Sequence, residues 1–167
     1  MSVNFSMINF RDPNLPALLS ELMREWQVGD GELIVELTES AFIQDPRLLL
    51  EALTRFQALG IELSIDDFGT GYSSLSYLKK LPVREIKIDR SFVQDMLRDR
   101  DDAVIVQSTI DLARNLGMRV VAEGVETREI IRRLSDLGCD IVQGYHISRP
   151  RPAADCLDFF RREQSWA

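Results

Sequence analysis

The sequence has few of the residues that sulfur-based and imidazole-based sites require. Among 167 residues there are two cysteines, Cys139 and Cys156, in no CxxC pair, and one histidine, His146. Disulfide frameworks and zinc sites need clustered Cys and His ligands, so neither is predicted. A single histidine also gives little support to a nucleophilic triad, and we expect His146 to be structural.

Long apolar runs and an excess of positive charge are also missing. No apolar stretch approaches the 18 or so residues that span a bilayer, and the start MSVNFSMINF has no basic segment followed by an apolar one. We therefore expect a cytoplasmic protein without a membrane span. Acidic residues outnumber basic ones by 27 to 20, which argues against DNA binding through phosphates. An anionic ligand would need a bridging cation.

Short runs rich in Val, Ile and Leu alternate with segments of helical period, which is typical of an α/β fold with a parallel sheet. The predicted strands are Val3–Phe5, Leu33–Leu37, Glu62–Ile65, Glu85–Ile88, Arg119–Ala122 and Asp140–Val142. The predicted helices are Leu15–Trp26, Arg47–Leu59, Ser74–Leu81, Ala103–Leu116, Arg128–Leu137 and Ala153–Arg162. No long linker separates these elements, so residues 1–167 are expected to form a single domain.

Polar side chains stand at or just beyond the end of every predicted strand, as in a TIM-type (β/α) barrel, whose sites lie at the carboxyl ends of the strands. A doubly wound sheet shares the alternation but binds its ligand at one switch point. Eight βα units take about 250 residues, so about six are expected here. The strand-end residues are Asn4, Glu36, Asp66 with Asp67, Lys87 with Asp89, Glu123 with Glu126, and Gln143.

The adjacent carboxylates Asp66 and Asp67 follow the buried run IELSI. In isolation such a pair is more often a helix cap or a turn. However, Glu36 and Glu123 would project into the same space, with the amide of Asn4 beside them. This all-oxygen set suits Mg²⁺ or Mn²⁺, and two such ions can clamp the oxygens of a phosphoryl displacement.

Three further features belong to the same edge. Lys87 stands between two apolar residues in IKIDR, either as a snorkelling edge residue or as a cation that orients water or offsets phosphate charge. In AEGVET, Glu126 is a second site acid, or with Thr127 it only initiates a helix. The glycine-rich and hydroxyl-rich stretch DFGTGYSSLSYL predicts a mobile loop near the site.

The motifs VNFS, ELTES, DDFGTGYSSLSYLKKLPVREIKIDRSF, VVAEGVET and CDIVQGYHISRP together resemble the EAL domain family of cyclic di-GMP phosphodiesterases. The resemblance implies a (β/α)8 barrel that hydrolyses cyclic di-GMP to linear pGpG with two Mg²⁺ or Mn²⁺ ions. The matched stretch begins at what would be the third strand. We therefore expect an incomplete EAL domain that carries strands three to eight and lacks the Glu-Ala-Leu motif.

The resemblance also implies a role for each matched position. Lys87 resembles the lysine that holds the catalytic water, and Glu123 has the position of a general base as well as of a metal ligand. The implied metal ligands are Asn4, Glu36 and Asp66 for one ion, and Asp66, Asp67 and Glu123 for the other. The implied loop-anchoring and substrate-side residues are Glu39, which anchors DDFGTGYSS, and Asp89, Glu126 and Gln143.

The lack of two strands leaves unpaired edges at the first and last strands, which invite pairing with another chain. An oligomer that covers the edges, a six-stranded closure and a fragment of a longer protein are all compatible with the sequence. Helix Ser74–Leu81 resembles the family's dimer surface, so a homodimer or higher oligomer is expected. The alternative to an enzyme is an inactive cyclic di-GMP receptor or protein-interaction module. A barrel enzyme that stabilises an enolate has much weaker support.

Overall fold

The computed structural model describes residues 1–41, 46–71 and 78–156. Within these ranges six strands form one parallel sheet, and each strand lies beside its neighbour in the chain. The strands are β1 (Ser2–Asn4), β2 (Ile34–Thr38), β3 (Glu62–Phe68), β4 (Glu85–Ile88), β5 (Arg119–Ala122) and β6 (Ile141–Val142). The predicted α/β fold with a parallel sheet is confirmed.

Helices connect the strands. Those of the described residues are α1 (Met7–Phe10), α2 (Leu15–Glu25), α3 (Pro46–Ala58), α4 (Arg90–Asp95), α5 (Arg100–Leu116) and α6 (Arg128–Leu137). The predicted bounds of β4, β5 and α6 are confirmed residue for residue. The short helices α1 and α4 were not predicted. Of the predicted helix Ser74–Leu81, residues 74–77 lie outside the described residues, and of residues 78–81 only residue 78 is helical. Of Ala153–Arg162, residues 153–156 are helical and the rest lies outside.

Local capping explains where the longer helices begin and end. The side chain of Asp99 accepts hydrogen bonds from the backbone N–H groups of Asp101 and Asp102, so α5 starts three residues before the predicted Ala103. Thr127 caps α6 by accepting from the N–H of Ile130. This supports the interpretation of Thr127 as a helix-initiating residue.

One face of the sheet packs against the helices and forms the core. The alternation of strand side chains sends every second residue of β2, β3 and β4 to this face. These residues are at most 1% exposed: Val35, Leu37, Leu63, Ile65, Ile86 and Ile88. Each such side chain contributes about 1.5–3 kcal/mol by leaving water, which fixes the register and with it the direction of the intervening residues.

The opposite face of the sheet is polar, although much of it is buried. It carries Glu36, Ser64, Glu85 and Lys87, each at most 7% exposed. Among the described residues β1 pairs only with β2 and β6 only with β5, so the six-stranded closure is not formed there. No helix in the described part of the chain has the length and apolarity needed to cross a membrane.

Candidate active site and metal centre

The buried ammonium group of Lys87 lies at the centre of the polar face. Its Nζ is 2.7 Å from Oε1 of Glu123, 2.8 Å from Oε2 of Glu36 and 3.1 Å from Oδ1 of Asp66. Lys87 is only 5% exposed, which excludes the snorkelling interpretation. The strand ends of β2, β3, β4 and β5 therefore bring one cation and three carboxylates together.

The three carboxylates keep Lys87 charged. Burial lowers the pKa of Lys87, but the hydrogen bonds to Glu123, Glu36 and Asp66 raise it more, so the pKa lies above its ordinary value. For Glu123, burial raises the pKa, and although the adjacent Lys87 lowers it, the result remains above the ordinary value. Glu123 therefore accepts a proton more readily than a free glutamate does.

A β-bulge explains how two consecutive aspartates reach the same space. Ile65 pairs with Ile86 and Phe68 pairs with Ile88, with a register shift between them. Asp66 and Asp67 therefore stand opposite the single residue Lys87. Asp67 adopts a left-handed backbone conformation with φ of 54°, which is uncommon for a residue other than glycine. The bulge cancels the alternation that would otherwise send the two carboxylates to opposite faces.

The bulge completes a group of oxygen donors that fits a divalent cation. One carboxylate oxygen from each of Asp66, Asp67 and Glu123 lies within 4.8 Å of the others. Carboxylate oxygens are the donors that hard divalent cations prefer. Burial raises the pKa of Asp67, and the nearby carboxylates of Asp66 and Asp89 raise it further, as expected where negative charges converge. These three residues can hold a metal ion.

Glu39 ties the chain that follows β3 to the end of β2. Its carboxylate is buried, with 3% of the residue exposed. The same oxygen, Oε2, accepts hydrogen bonds from the N–H groups of Gly69 at 3.0 Å and Gly71 at 3.1 Å. These contacts join Glu39 to the start of the loop segment, up to its last described residue, and the loop-anchoring role stays a prediction.

The remaining predicted residues lie around this centre. Asp89 is the N-cap of α4 and accepts from the N–H of Ser91; burial raises the pKa of Asp89, but the hydrogen bonds from Ser91 lower it below its ordinary value. Asn4 is exposed on β1 and pairs in register with Glu36. The outermost two are Glu126, which accepts a hydrogen bond from Gln94, and Gln143, which is exposed and lines a surface groove with Tyr145 and Arg149.

Sequence reasoning missed two features of this region. The bulge leaves no signal in the sequence beyond the two adjacent aspartates. Gln94 was not a candidate, because its contact with Glu126 joins residues 32 positions apart.

Known proteins are similar to this chain in sequence. Residues 1–150 match the family model described as the EAL domain. The chain is 42% identical over 157 residues to the Pseudomonas aeruginosa protein named bifunctional diguanylate cyclase/cyclic di-GMP phosphodiesterase MucR, covering 94% of this chain and 23% of that protein. It is 46% identical over 129 residues to the cyclic di-GMP phosphodiesterase NbdA of the same organism, covering 77% of this chain and 16% of the relative.

Solved structures agree with the sequence matches. The MucR phosphodiesterase in complex with c-di-GMP has a TM-score of 0.88 at 42% identity, over 93% of this chain and 63% of that one. The EAL domain of Mycobacterium smegmatis DcpA has a TM-score of 0.90 at 37% identity, over 94% of this chain and 70% of that one. The parallel sheet is therefore a curled half-barrel of the TIM type, as predicted.

The chain spans less than a quarter of the length of these two curated relatives. Its likeness to them concerns one part of each longer protein. The family model nevertheless covers most of the 167 residues, and the strand-end acids and Lys87 all lie within the matched range. On this evidence, the chain belongs to the EAL domain family.

Proposed function

We propose that this chain carries the catalytic face of a metal-dependent phosphodiesterase that hydrolyses cyclic di-GMP to linear pGpG. The observation that carries the proposal is the position of Lys87 among Glu36, Asp66 and Glu123 at the strand ends, beside the oxygen donor group that includes Asp67. The names of the phosphodiesterases MucR and NbdA and the c-di-GMP complex of MucR support this substrate. Because the substrate is an intracellular messenger, we place the reaction in the cytoplasm.

The proposed metal ions are Mg²⁺ or Mn²⁺. Asp66, Asp67 and Glu123 would hold one ion, and Asn4, Glu36 and Asp66 a second. When bound, such ions neutralise phosphate charge and lower the pKa of water. The net charge of −7 and the converging carboxylates of the site repel an anionic substrate, and a bridging cation would offset this repulsion.

The protein's own groups then supply the proton chemistry. In hydrolysis to pGpG, a water oxygen bonds to phosphorus, the bond from phosphorus to the 3′ oxygen breaks, and that oxygen takes up a proton. The Lys87 ammonium, whose three N–H groups face Glu36, Asp66 and Glu123 in this structure, would exchange one of these contacts for a hydrogen bond that positions the attacking water. Glu123, beside the proposed position of the water, would accept the proton of the water as a general base.

The direct test is a turnover assay on the purified chain with Mn²⁺ and cyclic di-GMP, in which pGpG is measured by chromatography. Asp66→Ala and Lys87→Ala should each abolish product, whereas Lys80→Ala, at an exposed lysine, should not. Folding of every variant is checked by circular dichroism. Turnover that survives both site substitutions would contradict the assigned roles.

A second candidate is a cyclic di-GMP receptor or interaction module without turnover. It is favoured by the edges of β1 and β6, each of which has one strand neighbour in the described residues. A homodimer or higher oligomer would cover these edges. Calorimetry with cyclic di-GMP and light scattering distinguish the candidates: binding by an oligomer without pGpG supports the receptor, and pGpG formation supports the enzyme.

A further inference from the structure

The hydroxyl group of Ser64, on β3 beneath the site, is buried and has no partner among the described residues. Ser64 is 0% exposed, and its Oγ makes no hydrogen bond. A buried hydroxyl normally has at least one partner. Because Ser64 is two residues before Asp66, it points to the same polar face as the acids of the site.

Carboxylates flank this hydroxyl on both neighbouring strands. Ser64 pairs in register with Glu36 on β2 and with Glu85 on β4. Glu36 and Glu85 are both buried, at 7% and 4% exposure. The three side chains form one row across the sheet, one layer below Lys87.

The cations of the region engage only one oxygen of each flanking acid. Lys87 contacts Glu36 through Oε2, and Arg119 contacts Glu85 through Oε2 at 3.4 Å. Within the described part of the chain, the other oxygen of each acid has no side-chain partner that would compete for a donor. The row therefore offers one hydroxyl donor and two carboxylate acceptors.

We propose that Ser64 holds a buried water molecule that joins Glu36 to Glu85. A buried water makes about three hydrogen bonds to groups that otherwise lack partners, and here it would accept from Ser64 Oγ and donate to the two carboxylates. Its two donated hydrogen bonds would offset the repulsion between the acids. Ser64 is thus a positioning residue that fixes the orientation of Glu36 against Lys87.

The consequence for activity rests on the proposed function, in which Glu36 is a metal ligand. Groups that orient a ligand from behind typically change metal affinity or activity by 10-fold to 100-fold. Loss of the Ser64 hydroxyl should therefore weaken Mn²⁺ binding by roughly 10-fold and lower kcat more than it raises KM. The water itself and the Mn²⁺ affinity can be measured whether or not the chain hydrolyses cyclic di-GMP.

The first experiment is a crystal structure of the unmodified chain at a resolution that shows ordered water. The expected result is a water within hydrogen-bond distance of Ser64 Oγ and of both carboxylates. A Ser64 hydroxyl that bonds directly to Glu36 or Glu85, with no water in the row, would overturn the proposal. This measurement does not depend on the folding of any variant.

The second experiment compares Mn²⁺ affinity by calorimetry in Ser64→Ala, Ser64→Thr and Thr109→Val. Ser64→Ala should show the roughly 10-fold loss, and Ser64→Thr, which keeps a hydroxyl, should bind as the unmodified chain does. Thr109 is another buried hydroxyl residue, 5% exposed on α5, so Thr109→Val controls for the loss of a buried hydroxyl elsewhere. Unchanged affinity in a folded Ser64→Ala variant would overturn the proposal, and absence of turnover in the unmodified chain would instead overturn the proposed function.

Discussion

Lys87 Nζ lies 2.8 Å from Oε2 of Glu36, although 51 residues separate the two along the chain. The contact crosses β3, the strand between β2 and β4, and it forms because parallel strands present their carboxyl ends at one edge of the sheet. Both side chains are buried. Charge pairing in this position supports the geometry of the site more than it supports overall stability, since burial of ions carries a large desolvation cost.

Removal of the Lys87 charge should destabilise the metal-free chain strongly. Lys87→Met leaves Glu36, Asp66 and Glu123 without their shared cation, and an uncompensated buried charge costs about 3–5 kcal/mol. Urea unfolding at pH 7 in the presence of a chelator measures this loss. At pH 4 the loss should be smaller, because Glu123, whose pKa burial raises above its ordinary value, is then more often protonated and no longer needs the ammonium group.

Lys80→Met is the matched control, since Lys80 is exposed. Surface substitutions of this kind usually change stability by less than about 0.5 kcal/mol. Equal losses for Lys87→Met and Lys80→Met, or a loss for Lys87→Met that does not depend on pH, would rule out the central role of the ammonium group.

Substitution of Glu39 should free the start of the loop after β3. Hydrogen bonds to a charged acceptor contribute about 1.5–3 kcal/mol, so Glu39→Ala should speed hydrogen exchange of the Gly69 and Gly71 amides by roughly 10-fold to 100-fold. Glu39→Gln keeps one oxygen acceptor without the charge and should have a smaller effect. Glu51→Gln, at an exposed glutamate, serves as the control; amides that exchange at the same rate in all three variants would exclude the anchor.

The sequence predicted the fold well where local signals and burial agree. The apolar residues of β4 and β5 are bounded by polar residues, which mark the ends of both strands. Gly138 ends α6 in a left-handed conformation, so the end of this helix also follows from the local sequence. The helix α4 was missed because its six residues are too few for helical period to be visible. Its capping residue Asp89 was identified as a polar strand-end residue and, through the family resemblance, as a substrate-side residue, but not as a helix cap.

The site was predictable as a set of strand-end residues but not as a geometry. Glu36, Asp66, Lys87 and Glu123 do converge, because parallel strands and alternation require it. The position of Asp67 depends on the bulge opposite Lys87, which arises from pairing between β3 and β4 and not from the local sequence. The partnerless hydroxyl of Ser64 likewise became visible only with its neighbours in place.

Neutralisation of Asp67 should stabilise the metal-free chain while it weakens metal binding. Burial and the charges of Asp66 and Asp89 raise the pKa of Asp67 above its ordinary 3.8. The folded state therefore binds this proton more tightly than the unfolded state, and the stability from this group is present below 3.8 and lost as the pH rises through the folded pKa. Asp67→Asn has no charge at this position, so the variant does not lose this stability as the pH rises. Asn also tolerates a left-handed backbone.

Thermal unfolding with a chelator, from pH 3 to pH 8, measures the effect. Asp67→Asn and the unmodified chain should melt together at pH 3, and the variant should melt at a higher temperature at pH 7. Asp136→Asn, at an exposed aspartate on α6, should follow the unmodified chain throughout. An Asp67→Asn variant whose melting temperature at pH 7 is equal to or lower than that of the unmodified chain would show that Asp67 is not under electrostatic strain.

Gly124 and Gly117 have the same backbone conformation but differ in their packing. A comparison of alanine substitutions at the two positions therefore distinguishes the cost of close packing from the cost of backbone strain. Gly124 and Gly117 have φ of 69° and 70°, so an alanine at either position costs about 1–2 kcal/mol in the left-handed region. At Gly124 an added Cβ would lie 2.4 Å from Cβ of Arg90, whereas at Gly117 nothing lies within 4 Å. Gly124→Ala should therefore lose about 1–3 kcal/mol more than Gly117→Ala in urea unfolding, because overpacking adds to the strain. Gly124 directly follows Glu123, so Gly124→Ala should also weaken Mn²⁺ binding, whereas Gly117→Ala should not. Equal stability and equal Mn²⁺ affinity in the two variants would mean that the contact between this turn and α4 does not position Glu123.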